Sequence, residues 1–180
     1  MKKIFSILFL SGILFSNAQN GKGTMFPECS GETFSGKTVN IPSQTKGKVT
    51  ILWVAFSRDA EEDMKTWLNP VYNLFVVKKD TNDFYSAAVN YDVNFYFIPM
   101  LNQLNQALGN KDKIKEKTDK EFWPFVMYFK GEVKPYIEAL KIEDKKIPYF
   151  FVLDAAGKIL HVESGRYSEA KMDKIEDFLD

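Results

Sequence analysis

The sequence predicts an α/β sandwich, a sheet with helices packed against it. Three observations carry that prediction. Lys48 to Phe56 is a nearly continuous run of β-branched and aromatic residues, which suits a strand buried on both faces. An apolar stripe at helical spacing follows at once, through Ala60, Met64, Trp67, Leu68, Val71, Leu74 and Phe75. Near the other end, "KIPYFFVLDAAGKILHVESG" reads as strand, tight turn and strand, and "SEAKMDKIEDFLD" closes the chain as a helix. Strands that alternate with helices, then an antiparallel pair and a last helix, fit a layered domain.

Each element has its own signal. "ETFSGKTVNIP" reads as a hairpin turning at Ser35-Gly36. In the helix after the central strand, Asp59 can cap the start, and Glu61, Glu62 and Asp63 favour the positive end of the helix dipole. Pro70 predicts a kink near Asn69. "VNFYFIPML" gives a strand from Val93 to about Ile98. Leu101, Leu104 and Leu108 predict a helix that Gly109-Asn110 ends. "KDKIKEKTDKE" reads as a solvated, charged insert. "PFVMYFK" is a short strand. Val133, Tyr136, Ile137 and Leu140 mark a helix with Pro135 in its first turn. The late hairpin turns at Ala155-Ala156-Gly157. Ser168 is placed to cap the last helix, with Met172, Ile175 and Leu179 facing inward.

Composition narrows the function. "MKKIFSILFLSGILFSNAQN" has a basic start at Lys2 and Lys3, an apolar run of 12 residues from Ile4 to Phe15, and small residues at Ser16-Asn17-Ala18. That is the pattern of a secretory signal peptide over residues 1–18, with the domain at 19–180. The run is short of the roughly 20 residues that cross a bilayer, so no span remains after cleavage. The alternative is retention of the segment as an N-terminal anchor. No cysteine stands near the cleavage point, which excludes a lipoprotein anchor. The expected location is the periplasm or outside the cell.

Without Lys2 and Lys3 the 24 basic and 24 acidic residues become 22 and 24, a net of −2. No basic stripe is present, so nucleic-acid partners are not expected. Cys29 is the single cysteine and His161 the single histidine. An intramolecular disulfide is impossible, a His-rich or all-Cys metal site cannot be built, and no metal or cofactor is expected.

The order of elements resembles the thioredoxin-like superfamily. "GKVTILWVAF" and "KIPYFFVLDAAGKI" carry the likeness, which runs from about Phe26 to Asp180. It implies a thioredoxin-like sandwich with a central mixed sheet, helices on both faces and an inserted helical, charged segment. It also implies a cis bond at Ile147-Pro148 facing the turn after the central strand, where relatives hold an extended partner segment. The C-x-x-C of the redox members would fall within Ser57 to Glu62, "SRDAEE", and no cysteine is there. Two-thiol exchange needs an attacking and a resolving sulfur, so this chain does not perform it. A narrower likeness rests on "FPECSGETFSGKTVNIP" and "KGKVTILWVAFSRDAEEDMKTWLNP". These are similar to the assembly-factor family of mitochondrial ATP synthase and its bacterial relatives, which are thioredoxin-like assembly chaperones.

The resemblance implies a redox-inactive protein that binds a protein or peptide in the cell envelope. Its partner face would hold Ser57, Arg58, Asp59, Ile147 and Pro148. Two other readings stay open. Cys29 is a thiol candidate for a single-cysteine peroxidase or reductase, although it precedes the central strand and no basic neighbour lies close in sequence. The Ser57–Asp59 mouth could instead carry a small ligand. Trp53 and Trp67 read as core. Trp123 reads equally as a contact residue or an anchor for the insert, and His161 reads as a structural strand residue.

Overall fold

The computed structural model describes residues 21–77, 91–101 and 111–179. The signal segment 1–18 and the helix expected over Leu101 to Leu108 lie outside those residues, apart from Leu101 itself.

The apolar run forms β3 (Thr50–Ala55), buried along its whole length. It pairs in parallel with β4 (Asn94–Pro99) and antiparallel with β6 (Tyr149–Leu153), and β7 (Ile159–Ser164) lies outside β6. A second sheet has β1 (Cys29–Thr33) between β2 (Thr38–Ile41) and β5 (Met127–Phe129), all antiparallel. The sheets join where Phe97 and Val126 bridge in parallel and the Phe97 N–H donates to Phe125 O at 2.8 Å. The result is the mixed thioredoxin-like sheet that the sequence predicts.

Side chains of β3 alternate between two cores, as a period of two requires. Ile51, Trp53 and Ala55 face α1 (Arg58–Lys65), α2 (Leu68–Phe75) and α5 (Glu169–Glu176). Leu52 and Val54 face the side closed by Tyr136 and Ile137 of α4 (Lys134–Ala139). Trp53 and Trp67 are fully buried and sit 6.1 Å apart, with Trp53 stacked on Phe97 at 5.0 Å. Truncating either ring to alanine is expected to cost about 3–5 kcal/mol.

The predicted long helix is two helices. Its break falls at Thr66-Trp67, before the predicted kink near Asn69. Pro70 is the third residue of α2, in a first turn whose N–H groups have no helical partner, so it starts a helix and does not bend one. The elbow is tied to the far edge of the sheet. Trp67 Nε1 donates to Gly165 O at 3.1 Å, the Tyr167 N–H donates to Thr66 Oγ1 at 3.0 Å, and Arg166 pairs with Asp63 at 3.0 Å.

The charged insert is also more structured than its composition suggests. Lys111–Glu116 forms α3, Ile114 packs against the core, and Lys111 pairs with Glu32 at 2.7 Å. One apolar residue among many charges anchors this segment. Trp123 is half-buried, donates to Thr118 O at 2.9 Å and lies under Lys115 Nζ at 4.2 Å. It therefore ties the insert down.

Candidate functional site

The central strand ends at Ala55, and the chain bends through Phe56 and Ser57 into α1. Ser57 has extended backbone angles, and its Oγ accepts from the Ala60 N–H at 3.2 Å. Ser57 is thus the cap, not Asp59. A cap must sit just outside the helix, and Asp59 is already its second residue, exposed in the first turn.

The pairing of Val54 with Tyr149 brings Pro148, the residue before β6, to the same end of the sheet as Ser57. Phe56 packs edge-on to Tyr149 at 6.4 Å between them. Ser57, Arg58, Asp59, Ile147 and Pro148 therefore share one end of the fold. Ser57, Arg58 and Ile147 are half-buried, and Pro148 is buried, with its carbonyl accepting the Gly165 N–H at 2.9 Å. The cis expectation fails. Among the described residues the cis peptide bond is Ile41-Pro42, and Ile147-Pro148 is trans. Trans is the lower-energy form of any X–Pro bond, and a shared Ile-Pro before a strand does not by itself select the other. The resemblance therefore lends Pro148 no groove geometry.

Sequence reasoning passed over Glu61 as ordinary helix-start acidity. Its side chain is only 6% exposed, and Arg58 Nη1 reaches its Oε2 at 2.8 Å. Lys65 Nζ lies 3.8 Å from its Oε1 and 2.6 Å from Glu62 Oε1. A carboxylate this buried needs such partners, because an unpaired one would carry its full desolvation cost. The signal was available as opposite charges at i,i+3 and i,i+4 on a helix. The Arg58–Glu61 spacing equals that of the two cysteines in a C-x-x-C, inside the window where that motif would stand.

Beside this ion pair a pocket of about 190 Å³ opens between α1 and the α3 region. Met64, Leu68, Phe97, Pro99, Ile114 and Val126 form its apolar lining, and Arg58, Glu61, Glu62, Lys65, Lys117 and Thr118 its polar one.

Cys29 lies elsewhere, at the start of β1 and 1% exposed, in the core that α4 closes. Burial chiefly pushes its thiol up to about 12, against a smaller opposing hydrogen bond with Tyr136. Burial likewise raises the Tyr136 hydroxyl to about 12. Burial and the raised pKa disfavour the thiolate, which is the form that acts as nucleophile or metal ligand. His161 stacks on Phe178 at 5.0 Å, and burial lowers its pKa below the ordinary value. Among the described residues, no three His, Cys, Asp or Glu side chains gather as a metal site, and no helix is long and apolar enough to cross a membrane.

Known structures share this architecture. A thiol:disulfide interchange protein from Bacteroides sp. is 21% identical with a TM-score of 0.57, over 88% of this chain and 90% of that one. A Chlorobium tepidum chain assigned as the thiol:disulfide interchange protein DsbE is 18% identical with a TM-score of 0.57, over 88% and 98%. StoA from Bacillus subtilis is 14% identical with a TM-score of 0.51, over 85% and 98%. At these identities the likeness is one of fold. Among curated proteins none matches this chain by sequence. The profile of the ATP10 protein family matches residues 8–178, nearly the full chain. The thioredoxin-like sheet agrees with that match: this chain belongs to the ATP10 protein family of thioredoxin-like assembly factors.

Proposed function

We propose that this protein is an exported, redox-inactive assembly factor that holds a segment of a protein partner in the cell envelope. The carrying observation is the Arg58–Glu61 ion pair at the head of α1. It puts charge and hydrogen-bonding capacity where disulfide exchange would need two thiols, and the one thiol of the chain is sealed beneath the other face. The basic start, short apolar run and Ser16-Asn17-Ala18 support export.

Insulin reduction and peroxide consumption by the wild type and Cys29→Ala test the redox half. Both proteins are expected to be inactive, and turnover that vanishes with Cys29 would replace this reading with the thiol enzyme. Pull-down from envelope extract tests the binding half. Cys29→Ala should capture the same partner as the wild type, and Arg58→Glu with Asp59→Lys should capture less after correction for stability. Equal capture by the charge-reversed protein would remove this face from partner binding.

A further inference from the structure

We propose that the pocket between α1 and α3 receives one bulky apolar side chain of the partner segment and that an acidic side chain beside it is held at the pocket mouth. This deepens the binding reading above and rests on it.

Size sets the first term. A dry apolar cavity of roughly 150 Å³ takes a benzene ring. A pocket of about 190 Å³ floored by buried Met64, Phe97 and Val126 therefore fits one aromatic or branched aliphatic side chain. Two large side chains would not fit.

Charge sets the second term. Arg58, Lys65 and Lys117 contribute three positive charges to the lining, Glu61 and Glu62 two negative ones, for a net of +1. Both carboxylates are already matched. Glu61 is taken by Arg58 and Lys65, and Glu62 by Lys65. Lys117 is exposed and has no acidic partner among the described residues. Arg58, 42% exposed at its side chain, adds positive charge to the same rim while it holds Glu61. An occupant with an acidic side chain next to its apolar anchor completes this balance. One with a lysine there meets Arg58 and Lys117 with like charge. A rim charge of this kind contributes more to selection of the partner than to affinity.

The test is an NMR titration of the isotopically labelled protein with blocked peptides, Gly-Ser-Phe-Glu-Gly-Ser first. Shifts should centre on Phe97, Ile114, Lys117 and Thr118. The Phe-Lys peptide should bind more weakly by about two- to fivefold, the worth of an exposed charge pair. Ala-Glu should lose about tenfold or more, because the anchor is gone. Ile114→Trp, which fills the pocket, should abolish the shifts. Lys117→Glu, on an exposed side chain, turns the lining net from +1 to −1 and should reverse the preference between Phe-Glu and Phe-Lys.

Shifts that centre on Ser57 and Ile147 would overturn the pocket while leaving the binding reading intact. So would pull-down capture that persists in Ile114→Trp with no peptide bound. Binding of phenol as tight as the Phe-Glu peptide would overturn it in favour of a small-ligand carrier. Loss of all envelope capture by the wild type would count against the binding reading itself.

Discussion

Cys29 and Glu61 are both almost wholly buried, at 1% and 4% exposure, Cys29 in the core that Leu52 and Val54 of the central strand enter and Glu61 on α1, which packs on the other face. One lies in an apolar layer, and burial holds it neutral. The other stays matched to two cations, and a pocket opens beside it. The difference teaches that burial alone does not mark a working site. Burial with charge pairing beside an opening is what makes the Glu61 end the candidate.

The largest expected effect breaks or upholds the Cys29 side of this contrast. A shift from 9.0 to about 12 cuts the thiolate population about a thousandfold near pH 8. Iodoacetamide should therefore modify the native protein about a thousandfold more slowly than the unfolded chain, read by mass spectrometry. The raised value also fixes a sign. This contribution to stability is complete below about pH 9 and is lost as pH climbs through about 12. Rapid native alkylation would put the thiol within reach of solvent and end the contrast.

A smaller effect sharpens the Glu61 side. Arg58→Leu leaves a buried carboxylate with only Lys65, at 3.8 Å. The expected loss is about 1–3 kcal/mol by urea denaturation, reduced from that of a fully buried pair because Arg58 is partly solvated. Adding Glu61→Leu should recover most of it, since an apolar replacement removes both the charge and its cost. A double variant as unstable as the sum of the singles would show that the pair is not coupled.

The smallest effect comes from His161, which stands between the two cases. It is half-buried, its Nε2 has no hydrogen-bond partner among the described residues, and it stacks on Phe178. Desolvation lowers its pKa, opposed by Glu163 and reinforced by Lys22 and Lys174. Its contribution is present above about pH 6.5 and is lost as pH falls through the lower folded value. His161→Phe should flatten the acid side of the stability curve, followed by thermal melts between pH 7 and 4.5. An unchanged slope would mean that a half-buried base without a partner behaves as a solvated one.

Much of the sheet was legible because its strands announce themselves by burial. β3 and β6 are continuous apolar runs, β6 leads into a clear turn before β7, and Gly157 takes the left-handed φ of 94° that such a turn requires. Ile114 was not legible as an anchor, because a lone apolar residue in a charge run gives no periodicity. The end of the sheet that carries the candidate site was found from the β3–α1 turn. Its chemistry was only half found. Arg58 stood out by position, whereas Glu61 was hidden among three consecutive acids whose helix-dipole role was a sufficient explanation. Which of three neighbouring acids points inward is decided by the rotation of α1 that seats its Ala60 and Met64 in the core with Trp53 and Phe97, and that phase is a tertiary property.

The stitched elbow after α1 has a consequence for how the protein comes into being. Trp67 is secured to a carbonyl 98 residues further along, and Thr66 to an amide 101 residues further along. A ribosome delivers Arg58 and Glu61 long before it delivers Gly165 and Tyr167. During synthesis α1 therefore has its sequence but not its mooring, and the end of the fold that carries the candidate site is finished among its last parts. The elbow therefore depends on contacts of very long sequence separation and closes late in folding.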